Sequence, residues 1–378
     1  MEYQKTAKYF AVVAGSLEAL AKTELESLGA VILQEVPRGM RFKCDARTLY
    51  KIVYTSRLVQ RVLAPLVSFQ CHSEDYLYKQ ARQALDWTEL FNPEESFGIE
   101  CNVMRSKISH SLYASQLLKD AICDCFRDKH GVRPNFSGNA PDISFNLHIS
   151  DNWATISLDL TGSMHRRGYR SEAVEAPLQE TLAAAIIRHS KWEGERPLND
   201  PMCGSGTLLA EALMHYCRIP AAFLRQNLGI RRLPDFSTEL WSEMQKEAVS
   251  AMRPLPSGLL FGSDQDPQSV EATSINLSHL PGGDNVQLSV SRFQDLPRRE
   301  NICVVTNPPY GMRLGEPGSI EKLYNDLGDF LKQKRPQGEA FVLCGSKGLV
   351  SALRLRAYWK KNLKNGDLEV CLARIILR

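Results

Sequence analysis

Asn307-Pro308-Pro309-Tyr310 combines residue types suited to gripping a flat amine. Two successive prolines fix the backbone and remove two N–H donors. The Asn307 side-chain oxygen and the Pro308 carbonyl can then both accept from one amino group, while Tyr310 offers a face for a base to stack on. Upstream, Asp200-Pro201-Met202-Cys203-Gly204-Ser205-Gly206-Thr207 places glycines where backbone must approach a ligand closely. It lacks the Lys-Ser/Thr ending of a phosphate loop and the spacing of GxGxxG, and its acid suits a cationic ligand or a ligand amine. Between the two lies Gly262-Ser263-Asp264-Gln265-Asp266-Pro267. An acid at the end of a second strand commonly holds ribose hydroxyls, which is the role expected of Asp264, whereas Asp266 is placed to cap the following helix.

These motifs need strand ends to present them. From residue 177 the sequence alternates helical and strand-like stretches, with strands expected at 197–200, 259–262, 286–290, 302–305 and 340–344. That alternation is the pattern of a parallel sheet with crossover helices. Pro177 is expected to open a helix over 178–189. Asn365-Gly366 between 359–364 and 368–377 predicts a terminal hairpin. Residues 219–257, with several prolines and a polar helix around Trp241, read as an inserted cap.

The N-terminal half is different. Strand at 9–14, helix from Leu17 to a stop at Gly29, strands at 30–35 and 40–44 and a helix at 48–57 make a small α+β unit. A second unit starts near Val67, with helices at 75–85 and 112–127 and a strand at 97–103. Alternating apolar residues at 143–149 and 154–160 around Asp151-Asn152 predict a hairpin with one buried and one wet face. Residues 162–176 are polar and basic, with Arg166, Arg167 and Arg170 clustered either as a solvated connector or as phosphate contacts.

Composition narrows the classes. A chain of 378 residues with 43% hydrophobic and 24% charged residues is neither disordered nor fibrous. A net charge of +3, from 46 basic and 43 acidic side chains, excludes a histone-like polycation but not a local nucleic-acid surface. Ten cysteines without a CxxC pair (Cys123 and Cys125 are the closest) and eight scattered histidines give no metal-site spacing, so no metal is expected. The thiols read as reduced, the N-terminal apolar run as too short for a signal, and no stretch as long enough for a membrane span, which together predict a cytoplasmic protein with no membrane partner.

Taken together, the motifs resemble class I S-adenosyl-L-methionine-dependent amino-methyltransferases, which carry (D/N/S)PP(Y/F). Ser163-Met164-His165-Arg166-Arg167-Gly168-Tyr169-Arg170 and Ala176-Pro177-Leu178-Gln179-Glu180-Thr181-Leu182-Ala183 extend the resemblance to the THUMP-containing bacterial rRNA methyltransferases of the RlmL type. Those are large-subunit guanine-N2 enzymes, also labelled N6-adenine DNA methylases. The resemblance spans nearly the whole chain and stops after one catalytic domain.

It implies an α/β fold: a Rossmann-like class I methyltransferase domain at 177–378 preceded by a ferredoxin-like module at 1–65, a THUMP domain at 66–161 and a linker at 162–176. It implies catalytic roles for Asn307, Pro308, Pro309 and Tyr310, and cofactor contacts from Asp200, Cys203, Gly204, Gly206, Thr207, Asp264, Gln265, Phe293, Asp295 and Asn307. Relatives often carry an acid after the third strand where Arg292 stands here, leaving the Phe293 backbone, Gln294 or Asp295 as adenine contacts. RNA contacts are expected from Arg105, Lys107, Arg166, Arg167 and Arg170, with Lys119, Arg127 and Lys129 as further basic candidates. The implied partner is structured RNA, 23S rRNA or an assembling large ribosomal subunit. Two alternatives remain: an adenine-N6 methyltransferase on DNA or RNA, and a non-catalytic RNA-binding assembly factor.

Overall fold

A computed structural model describes residues 1–172, 178–311 and 319–378. The N-terminal half runs α1 (Glu2–Thr6), β1 (Lys8–Val13), α2 (Glu18–Leu28), β2 (Val31–Val36), β3 (Gly39–Lys43), α3 (Ala46–Thr55), β4 (Val59–Gln70), α4 (Glu74–Ala84), β5 (Phe97–Met104), α5 (Ser111–His130), β6 (Ile143–Ser150) and β7 (Trp153–Asp159). Local signals set most of these boundaries. Gly29 and Gly131 close α2 and α5 in the left-handed conformation, and Asp45 and Ser73 cap α3 and α4. Asp151 and Asn152, both at positive φ, make the tight turn between β6 and β7.

These strands form one seven-stranded sheet, β2-β3-β1-β4-β7-β6-β5. The strand absent from the expected set is β4. Its first half pairs with β1 and its second half with β7, so residues 65 and 66 lie inside a strand shared by both halves of the sheet. Pro65 interrupts it, and the register shifts between Pro65 and Val67. The wet face expected of the hairpin is only partly wet. Ser157 and Asp159 are buried, because a 3-10 turn at Gly229–Arg232 lies against β7. A Cβ on Gly229 would fall 2.0 Å from the Asp159 carbonyl oxygen.

The C-terminal half runs α6 (Glu180–Ser190), β8 (Leu198–Asp200), α7 (Thr207–Cys217), α8 (Thr238–Ser250), β9 (Leu260–Asp264), α9 (Pro267–Ser278), β10 (Gln287–Val290), β11 (Cys303–Thr306), α10 (Ser319–Lys334), β12 (Glu339–Cys344), α11 (Lys347–Ala352), β13 (Ala357–Asn365) and β14 (Leu368–Ile376). Helix α6 starts two residues after the expected 178, and Pro177 lies outside the described residues. The second sheet has the order β10-β9-β8-β11-β12-β14-β13. Strands β8 to β12 are parallel, and β14 is antiparallel to both its neighbours. This is a Rossmann-like sheet, preceded by an α+β half built on a sheet of its own. No helix among the described residues is long and apolar enough to cross a membrane.

Residues 219–257 are not a cap over the strand ends; they dock the two halves together. Trp241 on α8 meets Tyr50 and Tyr54 of α3 edge-on, with centroids 5.6 and 5.7 Å apart, and Phe236 packs on Tyr50. The Tyr3 hydroxyl donates to Asp235, the Ser237 N–H donates to the Tyr50 hydroxyl, and Arg47 pairs with Glu243 and Glu247.

Candidate active site

β8 and β11 are parallel neighbours, so Asp200 and Asn307 leave the sheet from the same end. After β8 the chain turns through Gly204 and Gly206, both at positive φ, into α7. Side chains from α9 hold this turn. Thr273 donates to the Gly204 carbonyl at 2.6 Å, and Asn276 donates to the Ser205 carbonyl at 3.1 Å. A Cβ on Gly206 would lie 2.7 Å from Thr273 Cγ2, so bare backbone is required there. Cys203 and Thr207 are buried in the turn, and burial holds the Cys203 thiol far above its ordinary pKa.

Asp200 is 1% exposed, and one carboxylate oxygen accepts from the Met202 N–H. Burial, reinforced by the charge of Asp264, pushes its carboxyl up to about 7. No ion pair compensates it among the described residues. Asp264 lies at the end of β9 and accepts from the Gly204 N–H at 3.0 Å through Oδ2 and from the Asp266 N–H at 3.1 Å through Oδ1. Each carboxylate oxygen has two lone-pair sites, so both can still accept from a ligand hydroxyl. Asp266 caps α9 as expected, accepting from the N–H groups of Gln268 and Ser269. Gln265 is exposed beside it.

At the end of β11, Pro308 is buried, Pro309 exposed and Asn307 half-buried. The Tyr310 hydroxyl donates to Asn307 Oδ1 at 2.6 Å, and burial raises its pKa. Its ring lies against Gly345, directly after β12; a Cβ there would fall 2.7 Å from Tyr310 Cβ and Cγ. The bond joins two residues expected to grip the same base, and Asn307 Oδ1 keeps a second lone pair. Phe293 is buried and packs edge-on against Phe330. Gln294 is half-buried and Asp295 exposed, and both can face a ligand.

The linker arginines divide. Arg167, expected as a phosphate contact, is 1% exposed and structural. Its guanidinium donates to Glu211, to the Met164 carbonyl and to the Arg57 carbonyl, which ties every nitrogen to the protein interior. Arg170 is mostly buried and also works internally, reaching Glu180, the Leu178 carbonyl and the Thr207 hydroxyl. It therefore ties the linker to the glycine turn after β8. Arg166 is exposed and borders a cavity of about 550 Å³ together with His165, Arg225, Gln226 and Asn227.

On the N-terminal half, Arg105 forks onto Asp151 with two 2.8 Å bonds, and Lys119, Arg127 and Lys129 pair with Asp120, Asp124 and Asp86. Lys107 is exposed and has no ion pair among the described residues. Thr273, Asn276, Gly345 and Arg225 were not among the expected site residues. Gly345 alone had a local signal, a glycine at a strand end.

Three domain descriptions match the chain: a THUMP domain at residues 71–159, an RlmL ferredoxin-like domain at 8–63, and UPF0020, the RMKL-like methyltransferase domain, at 167–374. The chain is 36% identical over 370 residues, covering 97% of it and 96% of the relative, to a Synechocystis sp. protein named "Putative RNA methyltransferase slr0064". Among solved structures it is similar to SMU.472, a methyltransferase crystallised with SAH, at 26% identity and a TM-score of 0.85 over 99% of this chain and 98% of that one. A Listeria monocytogenes protein described as an N6-adenine-specific DNA methylase shares the fold, at 24% identity and a TM-score of 0.83 over 99% and 97% of the two chains.

Proposed function

The chain belongs to the UPF0020 (RMKL-like) methyltransferase family, and on that premise we propose that it methylates the exocyclic amine of a guanine, at N2, in 23S rRNA of the assembling large subunit. S-adenosyl-L-methionine fits the cleft: Asp200 is a buried acid with no cation beside it among the described residues, and both Asp264 carboxylate oxygens keep a free lone pair at the neighbouring strand end. When bound, this cofactor supplies a methyl group carried on a sulfonium. Asp200 would hold its amino group, Asp264 its ribose hydroxyls, and the turn from Cys203 to Thr207 its methionine part. The Phe293 backbone, Gln294 or Asp295 would meet its adenine.

The observation that carries the reading is Asn307 Oδ1, bonded to the Tyr310 hydroxyl, at the strand end next to Asp200. Asn307 and Pro308 accept from the target amine and turn its lone pair toward the cleft, and Tyr310 stacks on the base. Asparagine adds no negative charge, so these residues act by position and by fixed dipoles rather than as a strong base. The guanine must leave its stack at a cost of a few kcal/mol, and stacking on Tyr310 returns about 1–3 kcal/mol.

RNA is the substrate class because a THUMP unit precedes the catalytic half. Arg166 and Arg225 at the 550 Å³ cavity and Lys107 on the N-terminal half are the proposed phosphate contacts. Arg105 can join them by exchanging its exposed Asp151 partner for phosphate, since such a pair is weak. The protein would act in the cytoplasm, and its ten cysteines are all free.

Mass-spectrometric mapping of rRNA from a deletion strain tests the reading. One missing N2-methylguanosine is the expected result. A missing N6-methyladenosine, in RNA or DNA, would favour the adenine alternative, and an unchanged methylation map would overturn both. With purified protein, Asn307→Ala should cut turnover by orders of magnitude and leave cofactor affinity nearly intact. Unchanged single-turnover rates would remove Asn307 from its role.

A further inference from the structure

A parallel sheet ordinarily carries helices on both faces. Here the crossover from β10 to β11 contains a single 3-10 turn, Phe293–Asp295. Gly262 faces α7, where a Cβ would meet Leu209, so its neighbours Phe261 and Ser263 point to the opposite face. On that face, under the segment 296–302, lies a cavity of about 170 Å³. Asn199, Ser263, Gln287, Ser289, Arg299 and Arg335 line it.

The charge in this cavity is uncompensated. Arg335 is 2% exposed. It donates to the Pro297 and Lys334 carbonyls at 2.7 Å each and to Asn199 Oδ1 at 3.3 Å, but its buried Nε–H has no partner. The Ser263 hydroxyl, 1% exposed, has none either. Arg299 stacks over the Phe261 ring at 4.0 Å. No carboxylate pairs with either arginine among the described residues. Burial and the neighbouring charge of Arg299 push Arg335 down to about 10, the direction for a cation with no anion beside it. Buried charges are ordinarily paired, and an unmade buried hydrogen bond is costly. An arginine serving only to cap carbonyls would account for three of these bonds. It would leave the Nε–H and the Ser263 hydroxyl without a partner.

We propose that this cavity is an oxyanion site, in which Arg335 Nε–H, the Ser263 hydroxyl and the Arg299 guanidinium hold a tetrahedral, phosphate-class anion. At about 30 Å³ per water, the space takes a handful of waters or one such anion, and is too small for a nucleotide. It is distinct from the cofactor cleft. Asn199 and Ser263 precede Asp200 and Asp264 in sequence, and successive side chains in a strand point to opposite faces.

The test titrates the full chain with inorganic phosphate at constant ionic strength, followed by calorimetry. One saturable site in the millimolar range or tighter is expected, weakened about tenfold or more by Arg299→Ala, which removes a charge-assisted contact. Arg335→Lys should weaken it similarly. Because Arg299 is exposed, Arg299→Ala keeps the fold and the test decisive even if the buried variant does not fold. A second arm identifies the source of the phosphate. If it belongs to a polynucleotide backbone, Arg299→Ala also lowers the salt slope of RNA binding by about one, and free phosphate competes with RNA. If the anion is free, that slope stays unchanged while phosphate binding weakens. Either pattern supports the site. Absence of saturable phosphate binding, or wild-type affinity in Arg299→Ala, overturns it.

Discussion

A buried carboxyl without a cation holds its proton more tightly, and Asp200 does so up to about pH 7 against an ordinary 3.8. Between those values the folded chain keeps a proton that the unfolded chain has released. The stability this group contributes is therefore full below about pH 4 and is lost as pH rises through about 7. An amino group bound beside it favours the ionised form, so cofactor affinity should rise as pH increases toward about 7 and then level off. Asp200→Asn should flatten that profile and weaken binding throughout, and calorimetric titrations from about pH 5.5 to about pH 8.5 would show both effects. A flat wild-type profile would contradict the assignment. At the other strand end, Tyr310→Phe frees Asn307 Oδ1 while keeping the ring, so methyl transfer should persist within a few-fold. Tyr310→Ala loses the stacking, about 1–3 kcal/mol or roughly five- to 150-fold in kcat/KM. These residues were legible because each motif is local: acid, glycine and proline are neighbours in sequence. The bond between Tyr310 and Asn307 was not, since spacing alone cannot say that the ring turns inward onto Gly345.

Elements bring in what the motifs omit. The cofactor turn keeps its shape because α9 reaches over it with Thr273 and Asn276, and because Arg170 ties Thr207 to the linker. Gly206→Ala places a Cβ 2.7 Å from Thr273 at a φ of +80°. It should cost about 1–3 kcal/mol of stability and most of the cofactor affinity, read by thermal melting and calorimetry. Gly345→Ala pushes on the Tyr310 ring instead, so it should lower methyl transfer and leave cofactor affinity close to wild type. Equal losses in both measurements would mean that Gly345 supports the sheet rather than the ring. The parallel strands fall within a few residues of their expected places, because β11 and β12 are apolar runs and β8 and β9 lead into Gly- and Asp-rich turns. It did not find β4, whose Pro65 argues against a central strand and whose pairing switches partner along its length. The fate of Arg167 was equally hidden, since its partner Glu211 lies in a different element.

At the scale of the molecule, the two halves are joined by buried hydrogen bonds, an ion pair and an aromatic cluster. Arg57, from the N-terminal half, donates to the carbonyls of Glu211, Met214 and Ile219 at the end of α7. Its own carbonyl accepts from Arg167, whose buried guanidinium pairs with Glu211 at 3.0 Å. The aromatic cluster of Tyr50, Tyr54, Phe236 and Trp241 closes the other side of the joint. Cutting the chain near residue 160 would strip partners from Trp241 and leave the carbonyls at the end of α7 without Arg57. The isolated C-terminal half should therefore be unstable, and its loss of activity would say little about RNA binding. Charge reversal at Lys107 or Arg166 in the full chain is the cleaner probe. The joint itself makes a calorimetric prediction. With one continuous N-terminal sheet docked through buried aromatic and ionic contacts, the full chain should unfold in a single transition. Trp241→Ala removes a large buried ring, typically about 3–5 kcal/mol, from the joint rather than from either sheet. It should split that transition in two, with the cofactor raising only the melting temperature of the C-terminal half. Two transitions already present in the wild-type chain would mean that the joint is too weak to couple the halves.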